Sequence, residues 1–198
     1  PGIKPFIEVG ADTRIHDEEA DSSGYQRDSR GLTGKIGSTF ELTRLLTGEI
    51  AAGYTHRTYD DPRLDALDGF VGDASLVWTV DALNTVKFTA SSTVGESTVA
   101  GVSGILYRDF GVQYDHAFRR WLIGSLKLGF GADTYNGSAS AATSDREDLR
   151  YTAGFGVTYK VTRELWLKGN FEQKWVRSNV TGNDYDESLF LAGIRLQR

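Results

Sequence analysis

From Leu149 to Val161 the chain alternates without a break. Leu149, Tyr151, Ala153, Phe155, Val157, Tyr159 and Val161 are apolar or aromatic, and Arg150, Thr152, Gly154, Gly156, Thr158 and Lys160 are polar or glycine. Side chains on a β-strand point to opposite faces in turn, so this segment has one greasy face and one wet face. The same pattern returns along nearly the whole sequence. That repetition predicts an all-β chain, the wall of an antiparallel up-and-down β-barrel in an outer membrane.

With 198 residues the chain is one domain or part of one. It has no cysteine, which leaves no disulfide framework and no Cys-based metal site. It has no methionine, even at position 1, as expected of a processed or truncated product that has lost any signal peptide. No apolar run reaches the ~18 residues of a transmembrane helix. A transmembrane barrel does not need one, because alternating segments of about ten residues suffice. The 12% aromatics and 23 glycines fit that case. The net charge of -5, with no basic stripe, argues against a nucleic-acid partner.

The pattern predicts ten strands, over 4–16, 25–41, 46–59, 69–81, 85–96, 102–115, 121–135, 148–161, 164–178 and 187–197. Short turns at 42–45, 81–84, 116–120 and 161–164 alternate with longer, mostly acidic loops at 17–24, 60–68, 96–101, 136–147 and 179–187. In an outer-membrane barrel short turns are periplasmic and long loops extracellular, which gives the expected orientation.

Sorting each strand by parity puts Ile7, Val9, Leu32, Ile36, Ile50, Tyr54, Phe70, Trp78, Phe88, Phe110, Val112, Leu126, Leu128, Phe155, Phe171, Phe190 and Ile194 on one face. The opposite face carries Glu8, Asp12, Arg14, Lys35, Glu41, Glu49, Arg57, Asp73, Lys87, Asp109, Lys127, Arg150, Lys160, Lys168, Glu172, Lys174 and Arg195, the expected lumen lining. A soluble barrel would turn its apolar face inward. The membrane reading is preferred because loop lengths differ so much between the two ends. It also explains the aromatic residues near both ends: Phe40, Trp78, Tyr114 and Tyr159 by the short turns, Tyr54, Tyr151 and Trp175 by the long loops. Two residues resist the scheme. Arg108 falls on the lipid parity, where a cation at mid-membrane costs ~2–4 kcal/mol, so it either snorkels to the interface or follows a bulge. His56 shares that parity near a loop end.

Several short runs carry a family resemblance: Thr58-Tyr59-Asp60-Asp61-Pro62, Leu83-Asn84-Thr85-Val86-Lys87, Val99-Ala100-Gly101-Val102-Ser103-Gly104, Asp115-His116-Ala117-Phe118-Arg119-Arg120 and Arg177-Ser178-Asn179-Val180. Together they resemble the C-terminal part of the putative β-barrel porin 2 family, over essentially the whole chain. The resemblance implies an outer-membrane barrel of proteobacteria (Gram-negative bacteria), related to the EpsL-type proteins of exopolysaccharide operons. It also implies a longer parent chain with further hairpins upstream, and it supplies no catalytic residues. The end of the chain, Leu196-Gln197-Arg198, lacks the terminal aromatic common among outer-membrane barrels.

Three functions follow as expectations. The first is a porin: passive diffusion of small hydrophilic solutes, no enzyme, no cofactor, no metal. Acidic residues lie mostly on the early strands and basic ones on the later strands, so opposed walls would set a transverse field. A closed ten-strand barrel would be nearly filled by its own side chains, and a larger one would conduct. The second is an accessory or structural barrel in exopolysaccharide export or surface attachment. Its partners would be outer-membrane lipid, lipopolysaccharide or polysaccharide, with acidic loops binding divalent cations. The third is a hydrolase at the rim, where His56, Asp60 and Asp61, or Asp184 and Asp186, could activate water. The solute, the oligomeric state and the strand total of the intact protein are not set by these residues.

Overall fold

The computed structural model describes residues 2–18, 20–97, 99–137 and 146–197. These contain ten strands and no helix: β1 (Gly2–Arg14), β2 (Ser29–Thr43), β3 (Leu46–Tyr59), β4 (Leu67–Thr79), β5 (Asn84–Glu96), β6 (Val102–Arg119), β7 (Leu122–Gly137), β8 (Glu147–Lys160), β9 (Leu165–Ser178) and β10 (Tyr185–Leu196). Every strand pairs antiparallel with its sequence neighbours in one sheet ordered β1 to β10. The predicted loop at 136–147 lies largely outside the described residues.

Two strand ends differ from the sequence expectation by more than two residues. Residues 25–28 do not extend β2. Asp21 instead accepts hydrogen bonds from the Ser23 and Tyr25 amides, at 2.8 and 3.0 Å, and Gly24 closes the turn at φ 78°. Asp28 accepts from the His16 amide at 2.8 Å. Short polar side chains here compete with the ladder for backbone donors and win. At the other extreme, β6 runs on through the predicted turn at 116–120. Phe118 lies over Gly124, where an added Cβ would come within 2.8 Å of its ring, and its ring meets that of His116 at 4.6 Å. These contacts hold four further residues against β7, past a bulge between Ala117 and Arg119.

The sheet is strongly curved. Flat, β1 and β5 would lie ~19 Å apart at the usual strand spacing. Yet Arg14 on β1 donates from Nη1 to Glu96 on β5 at 2.9 Å. The curl closes on the charged face. Ile7, Ile36, Phe70, Phe190 and Ile194 stand about two thirds or more exposed, whereas the Lys35 and Arg57 side chains are 17% and 5% exposed. A soluble barrel would show the reverse. Most of the buried apolar residues, among them Leu64, Leu67, Val71, Val102 and Leu106, lie toward the long-loop end.

The sheet is not closed: β1 pairs only with β2 and β10 only with β9. Aromatic rings sit at both heights of the outer face. Trp121 meets Tyr159 at 5.2 Å near the short turns, and Tyr54 meets Phe70 at 5.4 Å toward the long loops. Phe155, which is 57% exposed, discriminates a lipid-facing wall from a wet one. Phe155→Lys should weaken folding into liposomes by about 2–4 kcal/mol, measured by urea titration in the bilayer. A water-exposed surface position would change by no more than about 0.5 kcal/mol.

Candidate lumen and loop mouth

Charges on the concave face pair across strands, and glycine makes the crossings possible. On β2, Gly31 stands between Asp12 of β1 and Arg57 of β3 in register. Arg57 reaches over it to Asp12 and also donates to the Ser29 hydroxyl at 2.8 Å. Five strands on, the arrangement repeats: Gly131 of β7 stands between Asp109 of β6 and Arg150 of β8. Arg150 reaches Asp109 at 2.8 Å and Asp133 at 2.7 Å. An added Cβ would lie 2.6 Å from the Arg57 guanidinium at Gly31 and 2.8 Å from that of Arg150 at Gly131. Any side chain there would obstruct the bridge.

Two more lysines are paired. Lys35 meets Asp73 at 3.0 Å, and Lys87 meets Asp115 at 2.9 Å, where Ser125 and Gln113 also donate at 2.7 Å. Among the described residues, no ion pair engages Glu8, Glu41, Glu49, Lys127, Lys160, Lys168, Glu172, Lys174 or Arg195. Their signs are segregated: three glutamates on β1 to β3, and five cations with a single glutamate on β7 to β10. The Trp166 ring lies between two of the cations, 4.6 Å from Lys160 Nζ and 5.3 Å from the Arg195 guanidinium.

The long loops form a clasp at one end. Arg27, 8% exposed, donates to Asp21 at 2.6 Å and to the carbonyls of Val102 and Val99 at 2.9 and 3.0 Å. Asp61, buried at 4% exposure, accepts from the Gln26 amide at 3.0 Å and from the Arg63 side chain at 2.6 and 2.9 Å. Arg63 in turn lies 4.4 Å from the Tyr25 ring centre and donates to the Gly24 carbonyl. Residues 21–28 are thus tied to residues 61–63 and to residues 99–102. The Arg63 guanidinium, with the Gln26 and Arg63 amides, holds the Asp61 carboxyl far below the usual carboxylate range, against the smaller opposing effect of burial.

Several participants escaped the sequence reading. Asp115 and Asp133 sit on the lumen parity of their strands, so parity could have found them. Arg27 and Glu96 lie at or beyond strand ends, where parity gives no signal. The rim residues considered for hydrolysis are not brought into one site. His56 pairs with Asp68 at 2.6 Å on the outer face, Asp186 with Arg177 at 2.6 Å, and Asp61 with Arg63. Among the described residues no cluster of three or more His, Asp or Glu could hold a metal ion.

A sequence profile of the putative β-barrel porin 2 family matches residues 1–198. The chain belongs to that family. None of the curated proteins compared with it matches. Membership of a porin family points to an outer-membrane location, and the outward hydrocarbon of this porin wall agrees with it.

Replacing Arg150 by Ala leaves Asp109 and Asp133 facing each other without a cation. The variant should lose about 1–3 kcal/mol of stability in a denaturant titration in micelles, and Asp133→Asn in the same background should recover part of it. The clasp has its own acid dependence. Because the folded value of Asp61 is depressed, its contribution is whole above the ordinary carboxylate pKa of ~3.9 and fades only as pH falls through the lower folded value. Hydrogen exchange of the Gln26 amide should therefore stay slow at pH 4 and speed up on stronger acidification. In Asp61→Asn it should be fast throughout.

Proposed function

We propose that this porin passes small hydrophilic solutes passively through a lumen lined by its charged face, with no catalytic step and no cofactor. The observation behind this reading is the uneven sign of the unpaired charge: Glu8, Glu41 and Glu49 on one stretch of wall, and Lys127, Lys160, Lys168, Lys174 and Arg195 beside a single Glu172 on another, with Lys4 and Glu187 as exceptions near strand ends. Charges needed only to hold a barrel together would sit beside partners, as Asp12 and Arg57 do. Charges left free on opposite walls orient a polar solute and select ions. The long loops face the exterior and the short turns the periplasm, by the convention of outer-membrane barrels. The bare edges of β1 and β10 must be paired in the assembled barrel, since unsatisfied backbone groups in hydrocarbon cost several kcal/mol each, an order-of-magnitude figure.

The loop clasp favours a second reading, a structural or accessory barrel whose mouth stays shut, and conductance separates the two. Reconstituted into a planar bilayer, the porin should give an ion-selective current, and exchanging Lys160 and Lys168 together for Glu should shift the reversal potential toward cations. A silent bilayer containing demonstrably inserted protein would favour the shut barrel. A current of unchanged selectivity would remove both lysines from the pore wall.

A further inference from the structure

The outer face of the wall is not uniformly ridged. Across β3 to β7, the small side chains of Ala74 and Ala90 form the floor of an apolar trough, with Ile50, Phe88 and Phe110 standing as its walls. Its lower part is a cavity of about 600 Å³, and it continues into a second of about 320 Å³ that shares Ile50, Ala74, Ala90 and Phe110. The trough runs along the strands toward the long loops, and Arg108 lines its upper section.

The upper section coincides with a fork in the sheet. The β4–β5 ladder ends at Gly72 opposite Ser92, although β4 continues to Leu67 and β5 to Glu96. Beyond the fork, the Ser92 hydroxyl donates to the Phe70 carbonyl at 2.8 Å. Arg108, paired opposite Ser92, stands beside this opening. Pairing is unbroken around it on both sides, so no bulge resets its register, and its exposed side chain shares the outward parity of Phe110 and Val112. Among the described residues its one side-chain hydrogen-bond partner is the Thr134 hydroxyl, 3.4 Å from Nη1 and longer than a good hydrogen bond. Two other ionisable groups on that face, His56 and Arg177, have carboxylates at 2.6 Å, and Arg30, which has none among the described residues, is no part of the trough lining. No carboxylate lies within 4 Å of Arg108 among the described residues.

A guanidinium with no carboxylate beside it among the described residues, at the head of a hydrocarbon trough, matches one kind of molecule, a lipid with a phosphate at its head. The fork of the guanidinium suits the phosphate oxygens, and a floor of alanines admits a methylene chain lying along the strands. We propose that Arg108 and the Ala74–Ala90 trough bind a phosphorylated lipid of the lipid A type, its sugar phosphate on Arg108 and an acyl chain in the trough. The choice of lipid A over a glycerophospholipid rests on the orientation given above, which puts the long-loop half of the wall in the outer leaflet, where lipopolysaccharide lies.

Native mass spectrometry of the full chain, folded in detergent and titrated with bisphosphorylated lipid A, tests this. Liposome insertion of the same preparation is scored separately, so failure of the membrane reading would appear there first. The unmodified chain should retain one lipid A. Arg108→Gln should weaken retention about tenfold, and dephosphorylated lipid A should bind the unmodified chain as poorly as the phosphorylated lipid binds that variant. Ala90→Phe, which fills the trough and keeps the cation, should weaken both lipids. Equal retention by the unmodified chain and by Arg108→Gln would overturn the phosphate contact, and full retention by Ala90→Phe would overturn the acyl seat. Phosphatidylglycerol binding as tightly as lipid A would overturn the choice of lipid.

Discussion

The curl of the sheet toward its charged face is the constraint on which the rest depends. Ten strands of alternating residues specify two faces but not which one is concave. Ion pairs that skip a strand decide it here. Arg57 to Asp12, Arg150 to Asp109 and Arg14 to Glu96 each span more than one inter-strand spacing. Such contacts shorten as a sheet curls toward them and would be torn apart by the opposite curvature. The same curl splays the outward Ile, Leu and Phe rows, an arrangement that water penalises and hydrocarbon does not. Charge pairing inside and lipid outside are thus two consequences of one bend.

Much of the architecture was legible in the sequence because period two is a backbone property and survives any tertiary context. All ten strands and the outward rows follow from it, and their order from the short turns that join neighbours. The failures occur where side chains overrule the ladder. At residues 25–28 the carboxylates of Asp21 and Asp28 take the amides that an extended β2 would have needed. At residues 116–119 a composition that reads as a turn stays paired, because Phe118 can lie against Gly124. Both are contacts between residues several positions or a strand apart, and neither leaves a mark in alternation.

The lumen was legible in a more limited sense. Parity identifies which charges share a face but says nothing about who meets whom. Glycines such as Gly31 and Gly131 look like curvature or spare room in the sequence, yet in register each is the gap through which an arginine crosses a strand. Finding them needs the register of three strands at once. The clasp was less legible still. Arg27 comes from one loop and Asp61 and Arg63 from another, and acidic loop residues ordinarily read as solvation.

The two charge populations therefore carry different meanings. Paired residues such as Asp12, Arg57, Asp109 and Arg150 fix the wall, and their fields cancel within one or two strands. Glu8, Glu49, Lys127 and Lys168 leave fields uncancelled, on stretches of wall separated by the paired ones. A concave face arranged this way keeps its shape while part of its charge stays free, because the residues that hold strands in register are not the unpaired ones. The apolar cluster of Leu64, Leu67 and Val102 lies with the clasp at the long-loop end. In the diffusion reading proposed above, loop contacts would govern access from that side and the wall below would select the solute.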